Sequence, residues 1–292
     1  MDPLRQTLTS YAYNILGSYE DAKDIVQDVM VEMLNRNGDA VQNEKAYLTR
    51  SVINRAINAR KRHEKIVKDY PGNWLPEPVA TESADDDLNQ KDILSYSLMI
   101  LLEKLDAKQR AVFILKEAFA YEHEEIADVL DISIENSRKI LSRARKEISD
   151  LKGVSALKGE AIAPSFKADN TSFRAGTTTY LDKYIETIRS RDIKQLEQLL
   201  NDDIMLVSDG GGKVPAAIKP LLGKESVSLF LSGTYNKFYT YKRIEKGYVN
   251  HHPALFYYED DKLMNCQIFE WKDGLIHRIY FVRNPDKLIN IE

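Results

Sequence analysis

The feature that most constrains this chain is a break at residues 69–91, where Pro71-Gly72, Pro76 and Pro78 forbid a helix between two segments of helical periodicity. The acidic Ser/Asp run that follows these prolines has little to bury and reads as a tether. Inside it stands Trp74-Leu75-Pro76-Glu77-Pro78, and an exposed Trp-Leu pair is rare in an inert linker. Gly153 and Gly159-Glu-Ala-Ile-Ala-Pro164 mark a second break. A length of 292 residues agrees with two or three domains, each with its own core.

Before the first break, Ser18 with Asp21 three residues later resembles a capping box. It opens a helix with Ala22, Ile25, Val26, Val29 and Met33 on one face, ended by Asn35-Arg-Asn-Gly38. A second helix starts near Asn43 and runs through Leu48, Val52, Ile53 and Ile57 into a basic tail expected to project from the core. After the break, Ile93, Leu94, Leu98, Leu101, Leu102 and Leu105 resume helical spacing, and Asp106 with Gln109 caps a helix to about Phe119. Residues 124–145 read as a helix-turn-helix. Ile126 and Leu130 point inward, Ala127 lies at the crossing, Ile132 plugs the turn, and Ile140 and Leu141 seat the second helix. Asp131 stands where a turn glycine is usual, and Ser137 at a β-branched core position. The second helix keeps Asn136, Arg138, Lys139, Ser142, Arg143 and Arg145 on its remaining surface, a set suited to base edges and phosphates in a major groove.

The net charge of −4 conceals segregation, which is what a polyanion feels. From Tyr47 to Lys68 there are Arg50, Arg55, Arg60, Lys61, Arg62, Lys65 and Lys68 against Glu64 alone; a second basic cluster spans Arg138 to Lys146. Between them lie Glu77, Glu82, Asp85, Asp86 and Asp87. Apolar and charged fractions of 43% and 29% are those of a globular protein, and no run of eighteen apolar residues offers a membrane span. The N-terminus lacks the basic-then-apolar pattern of a secretory signal, and the single Cys266 reads as a core residue, so the expected compartment is the cytoplasm.

Tyr13-Asn-Ile-Leu-Gly-Ser-Tyr-Glu-Asp-Ala-Lys-Asp-Ile-Val-Gln-Asp-Val resembles the second conserved region of sigma-70-type factors. The helix from Tyr47-Leu48-Thr49 resembles the promoter-melting part of that region, and Leu105 to Phe113 with the helix-turn-helix resembles region four. The resemblance is to extracytoplasmic-function sigma factors and covers residues 1 to about 150 in order. It implies that Asp24, Gln27 and Asp28 face core RNA polymerase. It further implies that Asn35 to Asn43 with Arg50, Asn54 and Asn58 face the −10 element of promoter DNA, and that Arg138, Lys139, Ser142 and Arg143 read the −35 element.

After the second break, helices from about Ala175 to Arg189 and on to Leu200 give way to strand-like runs. These are Lys237–Lys242, Ala254–Tyr258, Cys266–Trp271 and Leu275–Val282, with hairpin chemistry at Glu259-Asp-Asp and Lys272-Asp273-Gly274. The expected fold is multidomain: two all-α sigma domains, then an α+β cone with helices on a curved antiparallel sheet. The last part resembles SnoaL-like domains, and a subset of extracytoplasmic-function sigma factors carries one. Three short motifs match that subset: Trp74-Leu-Pro-Glu-Pro78, Asp209-Gly-Gly-Gly-Lys213 and Asn284-Pro-Asp-Lys-Leu288. The glycine run lacks the spacing of a phosphate loop and suits close approach of another chain.

The boundaries expected are 1–68, a linker 69–91, 92–152, a linker 153–169, and 170–292. Trp74, Leu75 and Pro76 are expected to face Asp209, Gly210, Gly211, Gly212 and Lys213 together with Asn284, Pro285 and Asp286, with burial of Trp74 biasing the arrangement. The last domain would then regulate the sigma factor intramolecularly, with no separate anti-sigma factor, no cofactor, no metal and no catalytic residue. Alternatives remain open: a small-ligand or enzymatic module, with Asp209, His251, His252 and His277 as weak candidates, or a dimeric repressor with a sensing domain.

Overall fold

The structure, a computed structural model, describes residues 3–36, 43–81, 88, 90–150 and 171–291. Expectations for Gly38, the acids Glu82 to Asp87, and the 153–169 linker lie outside the described residues. The chain divides into two compact units, Met1–Lys68 with Ser83–Ala168, and Asp69–Glu82 with Asp169–Glu292. The first proline-rich break is therefore shared, and its proline-containing half belongs with the C-terminal unit.

The first unit is helical. It begins with α1 (Pro3–Leu16), α2 (Tyr19–Leu34) and α3 (Glu44–Lys68). Ser18 Oγ accepts from the Asp21 N–H at 3.3 Å, and Asn43 Oδ1 accepts from the Ala46 N–H at 3.0 Å, which fixes where α2 and α3 start. Tyr13, Ala22, Val26, Val29, Val52, Ile53 and Ala56 fill the space between them. Then come α4 (Tyr96–Leu101), α5 (Ala107–Phe113) widening into a π-turn at Ile114–Ala118, α6 (His123–Leu130) and α7 (Ile134–Asp150). Asp106 and Gln109 form the expected capping box.

The helical spacing from Ile93 to Leu105 survives as α-helix only at Tyr96–Leu101. Ile93 and Leu94 are buried without being helical, and the Leu94 N–H donates instead to Asn14 Oδ1 at 3.1 Å. Within the basic tail, Lys61, Arg62 and Lys65 are exposed, but Arg60 is 2% exposed. Its guanidinium donates to the Leu16 carbonyl at 3.1 Å and to Glu103 Oε2 at 2.5 Å. Glu103 Oε1 accepts from the fully buried Arg110, whose Nε donates to the Asn14 carbonyl at 3.0 Å.

The second unit contains α8 (Thr171–Ser190), α9 (Ile193–Leu199), β1 (Leu200–Asp209), β2 (Leu221–Leu222), α10 (Lys224–Thr234), β3 (Arg243–Val249), β4 (His252–Glu259), β5 (Lys262–Lys272) and β6 (Leu275–Val282). The sheet order is β2-β1-β6-β5-β4-β3. It is mixed rather than antiparallel throughout, because β1 pairs parallel with β6. The helix and meander between them supply the long crossover that a parallel pair requires. Register shifts at Leu200/Met205, Tyr257/Tyr258 and Glu270/Trp271 bend the strands. One face packs Leu206, Tyr257, Phe269, Ile279 and Phe281 against Tyr184, Leu196, Val227 and Leu231.

Lys237–Lys242 is not a strand. Tyr235–Tyr239 continues α10 as a π-turn, and β3 starts at Arg243. Tyr235 and Tyr239 are buried while Lys237 between them is exposed, a pattern that a helical turn satisfies and an alternating strand, which would put all three on one face, does not.

Burial works to raise the Glu103 pKa, but the two guanidiniums outweigh it and hold the carboxyl below its ordinary value. A depressed carboxyl contributes stability that is complete above its unfolded pKa, about 4.3, and lost as pH falls through the folded value. Urea unfolding followed from pH 6 to pH 3 should show this acid loss in the wild type, and a flatter acid limb in Glu103→Gln.

Candidate nucleic-acid interface and linker site

The helix-turn-helix is α6 and α7. Asp131 ends α6 at φ 52° and ψ 58°, the left-handed region that Asp tolerates better than most residues. Ile126, Ala127, Leu130, Ile140 and Leu141 are buried as expected and Ala144 with them, while Ile132 is only half-buried. Ser137 is fully buried, and its Oγ lies 2.9 Å from His123 Nδ1, which accounts for a hydroxyl at an apolar position. Burial, then Lys116 and Arg138, lower the His123 pKa against the opposing glutamates.

Asn136, Arg138, Lys139, Ser142 and Arg143 are exposed on α7. Arg145 is tied to Glu117, and Arg138 stands 4.0 Å from Glu124 with both exposed, a contact of little energetic weight. On α2, Asp24, Gln27 and Asp28 are exposed in one stripe with Val31 and Leu34, at 49% and 83% exposure. Sequence reasoning passed over those two, although their spacing from Gln27 continues the same face. On α3, Arg50 and Asn58 are exposed. Asn54 is not free: its Nδ2 donates to the Arg50 carbonyl and to the Val129 carbonyl of α6, both at 2.8 Å.

In the second unit the three short motifs converge on one carboxylate. Asp209, 1% exposed, ends β1. Its Oδ1 accepts from the Tyr70 hydroxyl at 2.6 Å and the Gly211 N–H at 2.9 Å. Its Oδ2 accepts from the Leu75 N–H at 2.9 Å and from Lys287 Nζ at 2.6 Å. Lys287 also donates to the Leu75 carbonyl at 2.6 Å, and its ammonium lies 4.1 Å from the centroid of the Trp74 ring. Asn284 Nδ2 donates to the Tyr70 hydroxyl at 3.0 Å, and its Oδ1 caps the turn begun by Pro285. Lys213 joins the glycine loop to Asp286 at 2.5 Å through an exposed pair. Burial, then the bond to Asp209, push the Tyr70 hydroxyl pKa well up.

The glycines are required by what surrounds them. A Cβ on Gly211 (φ +62°) would fall 2.5 Å from the Asn284 side chain, and one on Gly212 (φ +70°) 2.6 Å from Pro71. Farther along the linker, Pro76 is buried and Asn290 Nδ2 donates to Glu77 Oε1 at 2.6 Å. The Val79 N–H donates to Asn250 Oδ1 at 3.0 Å, and Ala80 bridges antiparallel to Val249. The expectation that Trp74 supplies the buried anchor is corrected. Trp74 is half-buried; Leu75, at 1% exposure, and the Asp209–Lys287 pair hold the segment. Lys287 and Tyr70 were not singled out from the sequence, since a lysine in a short motif ordinarily reads as solvated.

The interior of the sheet holds Gln267, whose Oε1 accepts from the Tyr184 and Tyr257 hydroxyls at 3.1 and 3.2 Å. The carboxylate Glu270, bonded by the Tyr280 hydroxyl at 3.2 Å, alternates onto the opposite face. Burial pushes His252 down to about 4, with Nδ1 3.3 Å from the Phe269 carbonyl. His251 sits in the β3–β4 turn, and His277 is held below its usual value by burial and Arg278. Cys266 is buried, and burial raises its thiol pKa. Among the described residues no His, Cys, Asp and Glu cluster has metal-holding geometry, and no helix is long and apolar enough to cross a membrane.

Asp209→Ala leaves a buried ammonium without its partner and should cost about 3–5 kcal/mol in urea unfolding. In Gly211→Ala, hydrogen exchange at the amides of residues 73–81 should accelerate while that of β4 and β5 stays protected.

Residues 1–66 match the family "Sigma-70 region 2" and residues 97–148 match "Sigma-70, region 4". The ECF RNA polymerase sigma factor SigJ of Mycobacterium tuberculosis is 28% identical over 241 residues, which are 81% of this chain and 72% of that protein. The probable ECF RNA polymerase sigma factor SigI of the same organism is 26% identical over 152 residues, 50% of this chain and 52% of that one. The crystal structure of the Mycobacterium tuberculosis extracytoplasmic function sigma factor SigJ superposes with a TM-score of 0.71 at 24% identity, covering 99% of this chain and 96% of that one. Both sigma-70 regions stand in order with the α+β unit after them, and the chain thus carries the sigma-70 regions of an extracytoplasmic-function RNA polymerase sigma factor.

Proposed function

We propose that the C-terminal unit regulates this sigma factor intramolecularly, through the linker that it holds on Asp209 and Lys287. A sigma factor works with core RNA polymerase on promoter DNA. In this reading α2 offers Asp24, Gln27 and Asp28 to the polymerase, α3 reads the −10 element through Arg50, Asn54 and Asn58, and α7 reads the −35 element through Arg138, Lys139, Ser142 and Arg143. The functional divisions are 1–68, 92–152 and 170–292, and the protein acts in the cytoplasm where its polymerase is.

The observation that carries the regulatory reading is the bonding of the Leu75 N–H and carbonyl to Asp209 and Lys287. A segment joining two DNA-reading parts is held at both the N–H and the carbonyl of one residue, so its reach depends on the C-terminal unit. Control built into the chain requires no separate anti-sigma factor.

A regulatory role is favoured over a catalytic one because both oxygens of Asp209 are fully engaged by four donors, which leaves no lone pair for acid–base work. Sigma factors are not a family of enzymes. One observation favours a ligand in the same unit. Asn265 is fully buried with neither amide atom hydrogen-bonded, and a small polar molecule beside it would satisfy both.

Run-off transcription with core polymerase on a genomic promoter library compares the full chain with one ending near Lys152. The truncated chain should differ in activity and promoter preference, and identical profiles would overturn the regulatory reading. Trp74→Ala should change the full chain more than the truncated one. Arg143→Ala should cost about 1–3 kcal/mol and relax preference at one −35 position if Arg143 meets a base edge. A uniform loss, with a salt slope smaller by about one, would place it on phosphate instead.

A further inference from the structure

A half-buried guanidinium in the second unit has no acid for a partner. Arg283, one residue past β6, donates through Nη1 to the Pro215 carbonyl, and among the described residues no carboxylate pairs with it. Its guanidinium carbon lies 5.1 Å from the centroid of the Phe238 ring and 5.9 Å from that of Tyr239, both in the π-turn after α10. Its Nε is buried and unbonded. A cation drawn out of water is stable only beside a matching anion.

The neighbours of Arg283 share this lack. Ser208 Oγ, the Tyr239 hydroxyl and both amide atoms of Asn265 are buried without a hydrogen-bond partner. With Arg283 Nε they make five atoms, and among the described residues the second unit has no other buried side-chain polar atom left unbonded. Buried polar groups are nearly always paired, so their gathering in one place calls for a common cause. Strand register brings them together. Ser208 of β1 and Gln267 of β5 flank Phe281 of β6, and Asn265 lies two residues before Gln267 on the same face. The pairing of Cys266 with Val282 carries Arg283 to the side of Asn265. Tyr257, the partner of Asn265 on β4, has its ring 4.8 Å from that of Tyr239. Tyr239, Tyr257 and Phe281 all belong to the core, so this is the inner face of the sheet. Burial pushes the Tyr239 hydroxyl up to about 12 against the pull of Arg283, which keeps it a donor at neutral pH.

The unbonded atoms define what would fit. Arg283 Nε, Asn265 Nδ2 and the two hydroxyls can donate, while Asn265 Oδ1 only accepts. Donors prevail, one of them is cationic, and the surrounding rings are apolar. An ammonium is refused by such a set, and a phosphate dianion carries more charge than one guanidinium matches. A carboxylate supplies a single charge and two coplanar oxygens. We propose that this set binds the carboxylate of a small organic acid, with the acid's apolar part against Phe238, Tyr239 and Phe281. The inference rests on the reading of the second unit as a regulatory module with a ligand beside Asn265. It also gives that ligand a route to the linker. Ser208 precedes Asp209, and the Arg283 N–H donates to the Asp209 carbonyl at 2.8 Å. A carboxylate held on Arg283 therefore acts next to the residue that grips Leu75.

Isothermal titration of the full chain with acetate, propanoate and benzoate, each against its amide, tests the site. At least one acid should bind saturably at neutral pH, with its amide weaker by about tenfold or more. Arg283→Gln should abolish the binding. Asn265→Leu should weaken it about tenfold yet leave the melting temperature unchanged or higher, because it removes buried polar atoms that nothing satisfies. An asparagine serving structure alone would lower that temperature on replacement. No saturable binding of any of the three acids, or amides that bind as tightly, would overturn the proposal. So would acid affinity unchanged in Asn265→Leu, which decides the matter even where Arg283→Gln fails to fold. Run-off transcription separates the two readings. Acid binding by a full chain that transcribes like the shortened one defeats regulation alone, while a difference between the chains without acid binding defeats only the carboxylate site.

Discussion

A single buried carboxylate, that of Asp209, organises the C-terminal unit. An ionised carboxylate that leaves water is costly unless every lone pair is met. Asp209 is met by a hydroxyl, two backbone amides and an ammonium, drawn from the linker, the glycine loop and the segment after β6. The parallel pairing of β1 with β6 makes this convergence possible. It brings the C-terminal ends of both strands side by side, so that the Arg283 and Asn284 amides donate to the Asp209 carbonyl. With those two ends fixed, Lys287 is carried to Asp209, and the N–H and carbonyl of Leu75 are both satisfied there.

The first unit repeats the principle with the signs exchanged. Glu103 sits between two buried guanidiniums from different parts of the chain, whereas most surface pairs, such as Arg243 with Asp261, join exposed groups. Exposed pairs contribute little, and buried ones specify which segments meet. In both units the segments that meet come from different parts of the chain: the linker and the C-terminal fold in one, and the helices of sigma regions 2 and 4 in the other.

The helix-turn-helix was legible because its signals are local. Ile126, Leu130, Ile140 and Leu141 recur at helical spacing, and the cation-rich face of α7 follows from what they leave over. The three motifs of the linker site were legible as residues that belong together, but the chemistry joining them was not. Trp74 drew attention by size, whereas Lys287, an unremarkable lysine by composition, closes the site. Arg60 failed for the same reason, since a run of cations reads as solvated whichever member finds a buried glutamate. The parallel β1–β6 pair was hidden because strand direction depends on a long connection rather than on alternation. Lys237–Lys242 differs from the expected strand because aromatic residues serve helical and extended backbones alike, and what separates them is the exposure of Lys237 between buried Tyr235 and Tyr239.

The packed first unit is unequal in what it leaves open. The stripe of Asp24, Gln27, Asp28, Val31 and Leu34 on α2 is exposed, and so is the cationic face of α7, while Asn54 of α3 is bound. In the proposed assignment, the face of α2 that would meet polymerase and the face of α7 that would meet DNA are both open as the unit stands. Asn54 differs, because both hydrogens of its amide are already donated, and it would have to exchange the Val129 carbonyl for a base edge before it could read one.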